Sequence, residues 1–204
     1  MQKLMLPIAG AVVALILALA IFLSVRPTPA HVSPAMFAVE GSDIGGPFEL
    51  TAHTGERITS AEVIDRPALV YFGYTFCPDI CPIDTQVMAD TVDLLAEKNI
   101  DVKPVFVTVD PARDTPEELS YYAEAMHPKM IALTGSEADI RAAADAYRVF
   151  YQKSQTPGSE ADYLMQHTGF TYLMGPGDEL LAMFRRDFPA EQIAGDVEKV
   201  LAAQ

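Results

Sequence analysis

The chain has 204 residues, a net charge of −14 and two cysteines, which suits one tethered domain with a single core. All 28 acidic residues lie beyond Arg26 with 12 of the 14 basic ones, so that part carries −16. Binding to a phosphate backbone needs a basic surface, so nucleic acid is excluded as a partner, and one close cysteine pair excludes a disulfide-stapled scaffold.

Residues 4–25 carry no charge and are flanked by Lys3 and Arg26. A run of roughly 20 apolar residues is the length a helix needs to cross a bilayer. A cleaved signal peptide is the competing reading, but its apolar region spans about 7–15 residues and ends at a small-x-small site. Here Ala18-Leu19-Ala20 leads into Ile21-Phe22-Leu23, so residues 1–26 are read as an uncleaved transmembrane anchor. Prolines 27, 29 and 34 favour extended backbone, which makes residues 27–47 a stalk. Residues 48–204 form the domain.

Within the domain, residues 48–51 and 57–59 flank His53-Thr54-Gly55-Glu56 and read as a hairpin. Residues 67–72 are a continuous apolar run, the pattern of a strand buried on both faces. Residues 85–98 place Val87, Met88, Thr91, Val92, Leu94 and Leu95 at helical spacing, and residues 102–109 are a second buried strand. Thr115-Pro116-Glu117-Glu118 starts a helix, with Thr115 as cap and Pro116 in the first position. Another helix opens at Ser136 and runs through Tyr147. Residues 167–174 and 179–184 flank the turn Gly175-Pro176-Gly177-Asp178, and Pro189 begins a terminal helix. A βαβ crossover followed by an antiparallel pair and a closing helix is the thioredoxin arrangement, an α/β fold with an N-terminal hairpin extension.

That order places Cys77-Pro78-Asp79-Ile80-Cys81 on the loop after the first parallel strand, where open α/β sheets hold their ligands. A helix start at Cys81 stabilises a nearby thiolate, the form that binds metal and attacks disulfides. Two thiolates select soft ions such as Cu(I) or Zn(II), and one imidazole would complete a three-coordinate site. The pair by itself suits a plain redox dithiol better than a metal site. Four histidines are available: His31 on the stalk, His53 in the hairpin turn, His127 at a helix end, and His167 at the start of the penultimate strand. Any one of them, taken alone, reads as structural.

The stretch Phe72-Gly73-Tyr74-Thr75-Phe76-Cys77-Pro78-Asp79-Ile80-Cys81-Pro82 resembles the metal-site signature of the Sco/SenC family of copper proteins. Val109-Asp110-Pro111-Ala112-Arg113-Asp114-Thr115-Pro116 and Asp162-Tyr163-Leu164-Met165-Gln166-His167-Thr168 resemble two further segments of that family, the second bearing its histidine ligand. The resemblance implies copper, as Cu(I), Cu(II) or both, held by Cys77, Cys81 and His167. It implies a metallochaperone more than an enzyme, delivering copper to the CuA centre of cytochrome c oxidase. The implied partners are subunit II of that oxidase and a copper donor. The apolar anchor, with no recognisable transit peptide, points to a bacterial inner membrane with the domain in the periplasm. A thiol–disulfide oxidoreductase acting through Cys77 and Cys81 on the target's cysteines, or a redox or copper sensor, would use the same residues.

Gln166 stands where the family commonly has aspartate, and Phe76 where it often has histidine. Asp110, Arg113 and Asp114 read as a loop knitted by an Arg–Asp pair, with orientation of the site loop or partner recognition as the alternatives. Met165 reads as core and Asp79 as a solvated loop charge.

Overall fold

The computed structural model describes residues 35–37, 42–155 and 163–204. The expected anchor, His31 and most of the stalk lie outside them. Among the described residues no helix is long and apolar enough to cross a membrane.

In chain order the elements are β1 (Met36–Phe37), β2 (Glu49–Ala52), β3 (Arg57–Thr59), α1 (Ser60–Val63), β4 (Ala68–Gly73), α2 (Ile80–Glu97), β5 (Lys103–Thr108) and α3 (Pro116–Met126). There follow β6 (Ile131–Thr134), α4 (Glu137–Ala146), β7 (Tyr151–Ser154), β8 (Leu164–His167), β9 (Phe170–Gly175), β10 (Glu179–Arg185) and α5 (Ala190–Ala202). Eight strands make one sheet in the order β1-β10-β9-β4-β5-β6-β2-β3, while β7 and β8 form a separate ribbon.

β4, β5 and β6 run parallel at the centre, and β9 lies antiparallel against β4. Every residue of β4 is buried, as a strand covered on both faces requires. Leu69, Phe72, Phe106, Leu133 and Leu173 are fully enclosed in one continuous core. Helix α2 packs against α5, and α3 lies on β6. The helix starts behave as their sequences predict. Thr115 accepts from the Glu118 N–H at 3.3 Å with Pro116 in the first turn, and Ser136 and Asp139 close a reciprocal capping box.

Several elements differ from the sequence reading, the short helix α1 among them. β6, only four residues long, lies between the two expected adjacent helices and carries the β2–β3 hairpin on its outer side. Met36–Phe37, within the expected stalk, pairs with β10 and becomes the edge strand there. His167 does not begin β9. It ends β8, whose partner β7 (Tyr-Gln-Lys-Ser) has no apolar alternation to announce it.

Candidate metal centre

Strand β4 ends at Gly73, where a Cβ would stand 2.7 Å from the Tyr71 ring and 3.0 Å from Phe106. The absent side chain leaves room for the Tyr71 and Phe106 rings. The loop that follows is pinned from the side by Asp114, fully buried, which accepts from the Thr75 N–H at 3.1 Å, the Thr75 hydroxyl and the Thr108 hydroxyl. Chain direction then turns into α2 at Ile80, and Cys81 falls in its first turn.

Both cysteines are free, Cys77 partly exposed and Cys81 buried. The Cys81 N–H donates to Cys77 Sγ at 3.4 Å. The Cys81 side chain beside it, together with the N–H groups of Cys81, Asp79 and Ile80, pushes the Cys77 thiol down to about 4. This is a thiolate held at a helix N-terminus. The proton that Cys77 lacks is retained by Cys81, whose hydrogen bond to Cys77 and burial push its thiol far up. At neutral pH the pair is therefore one thiolate and one thiol.

His167 reaches this pair from the end of the ribbon, with Nε2 3.2 Å from Cys81 Sγ. Its Nδ1 lies 3.0 Å from the Thr168 carbonyl. A carbonyl can only accept, so Nδ1 carries the hydrogen and Nε2 presents its lone pair to sulfur. Burial pushes the imidazole below its usual range, which keeps the ring neutral. Tyr71 and Tyr74 stand edge-on to that ring at 6.1 and 6.0 Å. Tyr71 donates to Asp84 Oδ2 at 2.9 Å and lies within hydrogen-bonding reach of Cys81.

Of the three residues singled out from the sequence, the structure sets Cys77 beside Cys81 and His167 against Cys81. Among the described residues no three His, Cys, Asp or Glu side chains already stand as a group that could hold a metal ion. Cys81 meets His167, while the Cys77 sulfur is turned to the helix N–H groups. A cleft of about 380 Å³, lined by Asp79, Ile83, Asp84, Gly169 and Arg186 among others, opens beside the pair but is not lined by it.

The other candidates separate cleanly. His53 accepts from the Ala132 N–H at 3.2 Å, so it bonds the sheet instead of standing in solvent. His127 is buried beside Asp93, 3.2 Å away. Met165 is core, Asp79 is an exposed residue at the helix start, and the Gln166 side chain bonds Gln152 at 2.8 Å on the exposed face. Phe76 lies over Arg113. Sequence reasoning missed Tyr71, Tyr74, Asp84 and Tyr163. The only available signal was Asp84, one turn beyond Cys81 on the same helix face.

The SCO1/SenC family model matches residues 38–202. Protein SenC of Rhodobacter capsulatus is 49% identical over 156 residues, 76% of this chain and 70% of that protein. The crystal structure of Arabidopsis thaliana ScoI with copper bound superposes with a TM-score of 0.76 at 36% identity, over 79% of this chain and 99% of that one. BsSco, a member of the Sco family of cytochrome c oxidase assembly proteins with an identified disulfide switch, superposes with a TM-score of 0.61 at 26% identity, over 82% and 99%.

Proposed function

This chain belongs to the SCO1/SenC family, and from that premise we propose that it carries copper on Cys77, Cys81 and His167 for the CuA centre of cytochrome c oxidase. One observation carries the reading: the Nε2 lone pair of a neutral His167 meets Cys81 Sγ at 3.2 Å, beside the Cys77 thiolate. Thiolate, thiol and neutral imidazole make a soft, low-charge donor set that suits Cu(I). Copper is cargo here. Taking it up asks Cys81 to release its proton and the Cys77 sulfur to turn from the helix N–H groups. Cys77 is partly exposed, which leaves a route for ligand exchange with a donor or with subunit II of the oxidase.

Residues 1–26 would anchor the chain and residues 27–47 would space residues 48–204 from a bacterial inner membrane, on its periplasmic side. The acidic surface favours basic partner surfaces. Copper titration of the reduced full chain in detergent tests the ligand set. Parent protein should bind about one Cu(I), and His167→Ala and Cys77→Ser should bind far more weakly. Equal binding by those variants would overturn the assignment.

A second reading draws on the contrast between a partly exposed thiolate at Cys77 and a buried thiol at Cys81. The Cys77 thiolate would attack a target disulfide, forming a mixed disulfide and expelling one target thiolate. Cys81, giving up its proton, would then attack the Cys77 sulfur, release the second target thiolate and leave a Cys77–Cys81 disulfide. Reduction of a target disulfide that survives His167→Ala would favour this reading.

A further inference from the structure

His167 and the cysteines stand on separate segments, the first on a ribbon that ends three residues before β9, the neighbour of β4. The cysteine loop grows from β4, whereas His167 closes a ribbon outside the main sheet. One end of the ribbon is tied at its base, where the Thr168 N–H donates to the Phe150 carbonyl at 2.9 Å and the Phe150 N–H donates to the Thr168 hydroxyl at 3.1 Å. The other end enters β8 through Tyr163, and there the chain meets Arg113.

Arg113 Nε donates to Asp110 Oδ2 at 2.5 Å and Nη1 donates to the Tyr163 carbonyl at 3.1 Å. The Tyr163 hydroxyl donates back to Asp110 Oδ1 at 2.8 Å, which closes a ring of three residues. Asp110 is 1% exposed, so its charge is answered inside the protein. The guanidinium carbon also lies 3.8 Å from the Tyr163 ring centroid, 4.9 Å from that of Phe76 and 5.8 Å from that of Tyr74. Tyr74 and Phe76 belong to the cysteine loop, and Tyr163 to the ribbon. One planar cation therefore touches both segments that present the candidate ligands, and the next residue, Asp114, pins the same loop through Thr75.

We infer that Arg113 is a positioning residue that clamps the His167 ribbon onto the cysteine loop and so sets how readily the imidazole and the two sulfurs share one copper ion. The inference rests on the copper reading above. The shape of the group matters more than its charge. A guanidinium can bond a carboxylate and a carbonyl in its plane while its faces lie on rings, and an ammonium cannot. Groups that orient metal ligands without touching the metal are worth about 10- to 100-fold in affinity.

The test compares parent, Arg113→Lys and Tyr163→Phe as full chains in detergent. Tyr163→Phe removes only the hydroxyl bond to Asp110 and keeps the ring, so it reports even if Arg113→Lys fails to fold. Cu(I) affinity is read by chelator competition, the sulfur-to-copper absorption of the Cu(II)-loaded form by spectroscopy, and amide hydrogen exchange without copper.

Arg113→Lys should weaken Cu(I) binding by about 10- to 100-fold, alter the charge-transfer band, and speed exchange at residues 164–167 while β4 and β5 stay protected. Tyr163→Phe should move all three in the same direction by less. Parental affinity and spectrum in both variants would overturn the inference, as would faster exchange spread evenly over the molecule. If the parent itself binds no copper, the functional reading fails. Unchanged ribbon exchange in Arg113→Lys and Tyr163→Phe would then overturn the clamp as well.

Discussion

The central sheet and the two-stranded ribbon are held by different forces. In β4 and β5 almost every side chain is enclosed, and rings such as Phe72, Tyr147 and Tyr172 pack within 5.1 to 6.2 Å of one another. That region is stabilised by apolar area removed from water, spread over many contacts. In the ribbon, Met165 is the one buried residue. Its place depends on a few directional bonds, among them those of Arg113 and Thr168. Cys81 stands on α2, packed in the core, whereas on the clamp inferred above His167 is held by a few bonds that can open without unfolding the sheet. On the proposed copper reading, a site that accepts an ion and later surrenders it benefits from one firm wall and one that can yield.

The contrast can be tested by how far each perturbation spreads. The largest effect is expected from Phe72→Ala, a fully buried ring in the sheet. Urea unfolding should show a loss of about 3–5 kcal/mol, and a loss under about 1 kcal/mol would break the contrast. Asp114→Ala should cost less, about 2–3 kcal/mol, because it strands the Thr75 N–H and the Thr75 and Thr108 hydroxyls in a buried place. Its signature should be faster hydrogen exchange in the cysteine loop while β5 remains protected.

The two thiols sharpen the comparison further. A lowered pKa means that Cys77 is deprotonated above about 4, so alkylation by iodoacetamide should be appreciable at pH 6 and fall away only as pH drops through that value. Cys81, pushed upward, stays protonated and should resist labelling at the same pH. Mass spectrometry after timed labelling distinguishes them, and equal modification of both would contradict the asymmetry. The smallest effect belongs to Gln166→Asp. The amide bonds only the exposed Gln152, so stability should stay within about 0.5 kcal/mol, and Cu(I) affinity should move little. The family's customary aspartate would then have its role in something other than shaping this site.

Much of the architecture was legible because it is written in local pattern. The enclosed runs at 67–72 and 102–109, the capped starts at Thr115 and Ser136 and the Gly177 turn each announce themselves within a few residues, and Gly177 indeed takes a φ of +82°. β6 and the ribbon escaped notice. Four residues are too few to establish a period, and Tyr151–Ser154 is mostly polar because its faces meet solvent. The core role of Met165 and the exposure of Asp79 were readable from composition and loop position. His53 was not, since its partner is the backbone of β6 on the far side of the hairpin.

From sequence alone came the fold class, the nearness of two sulfurs and the thiolate-favouring helix start, because each depends on neighbours within one or two turns of chain. That His167 was the relevant histidine rested on motif resemblance. The approach of its ring to Cys81 across 86 positions is a product of the fold. Likewise the bonds from Arg113 to Tyr163 and the burial of Asp114 over Thr75 exist only once the strand ends are gathered on one side of the sheet. Periodicity records which face of an element is buried, and distance along the chain says nothing about which loops that burial brings into contact.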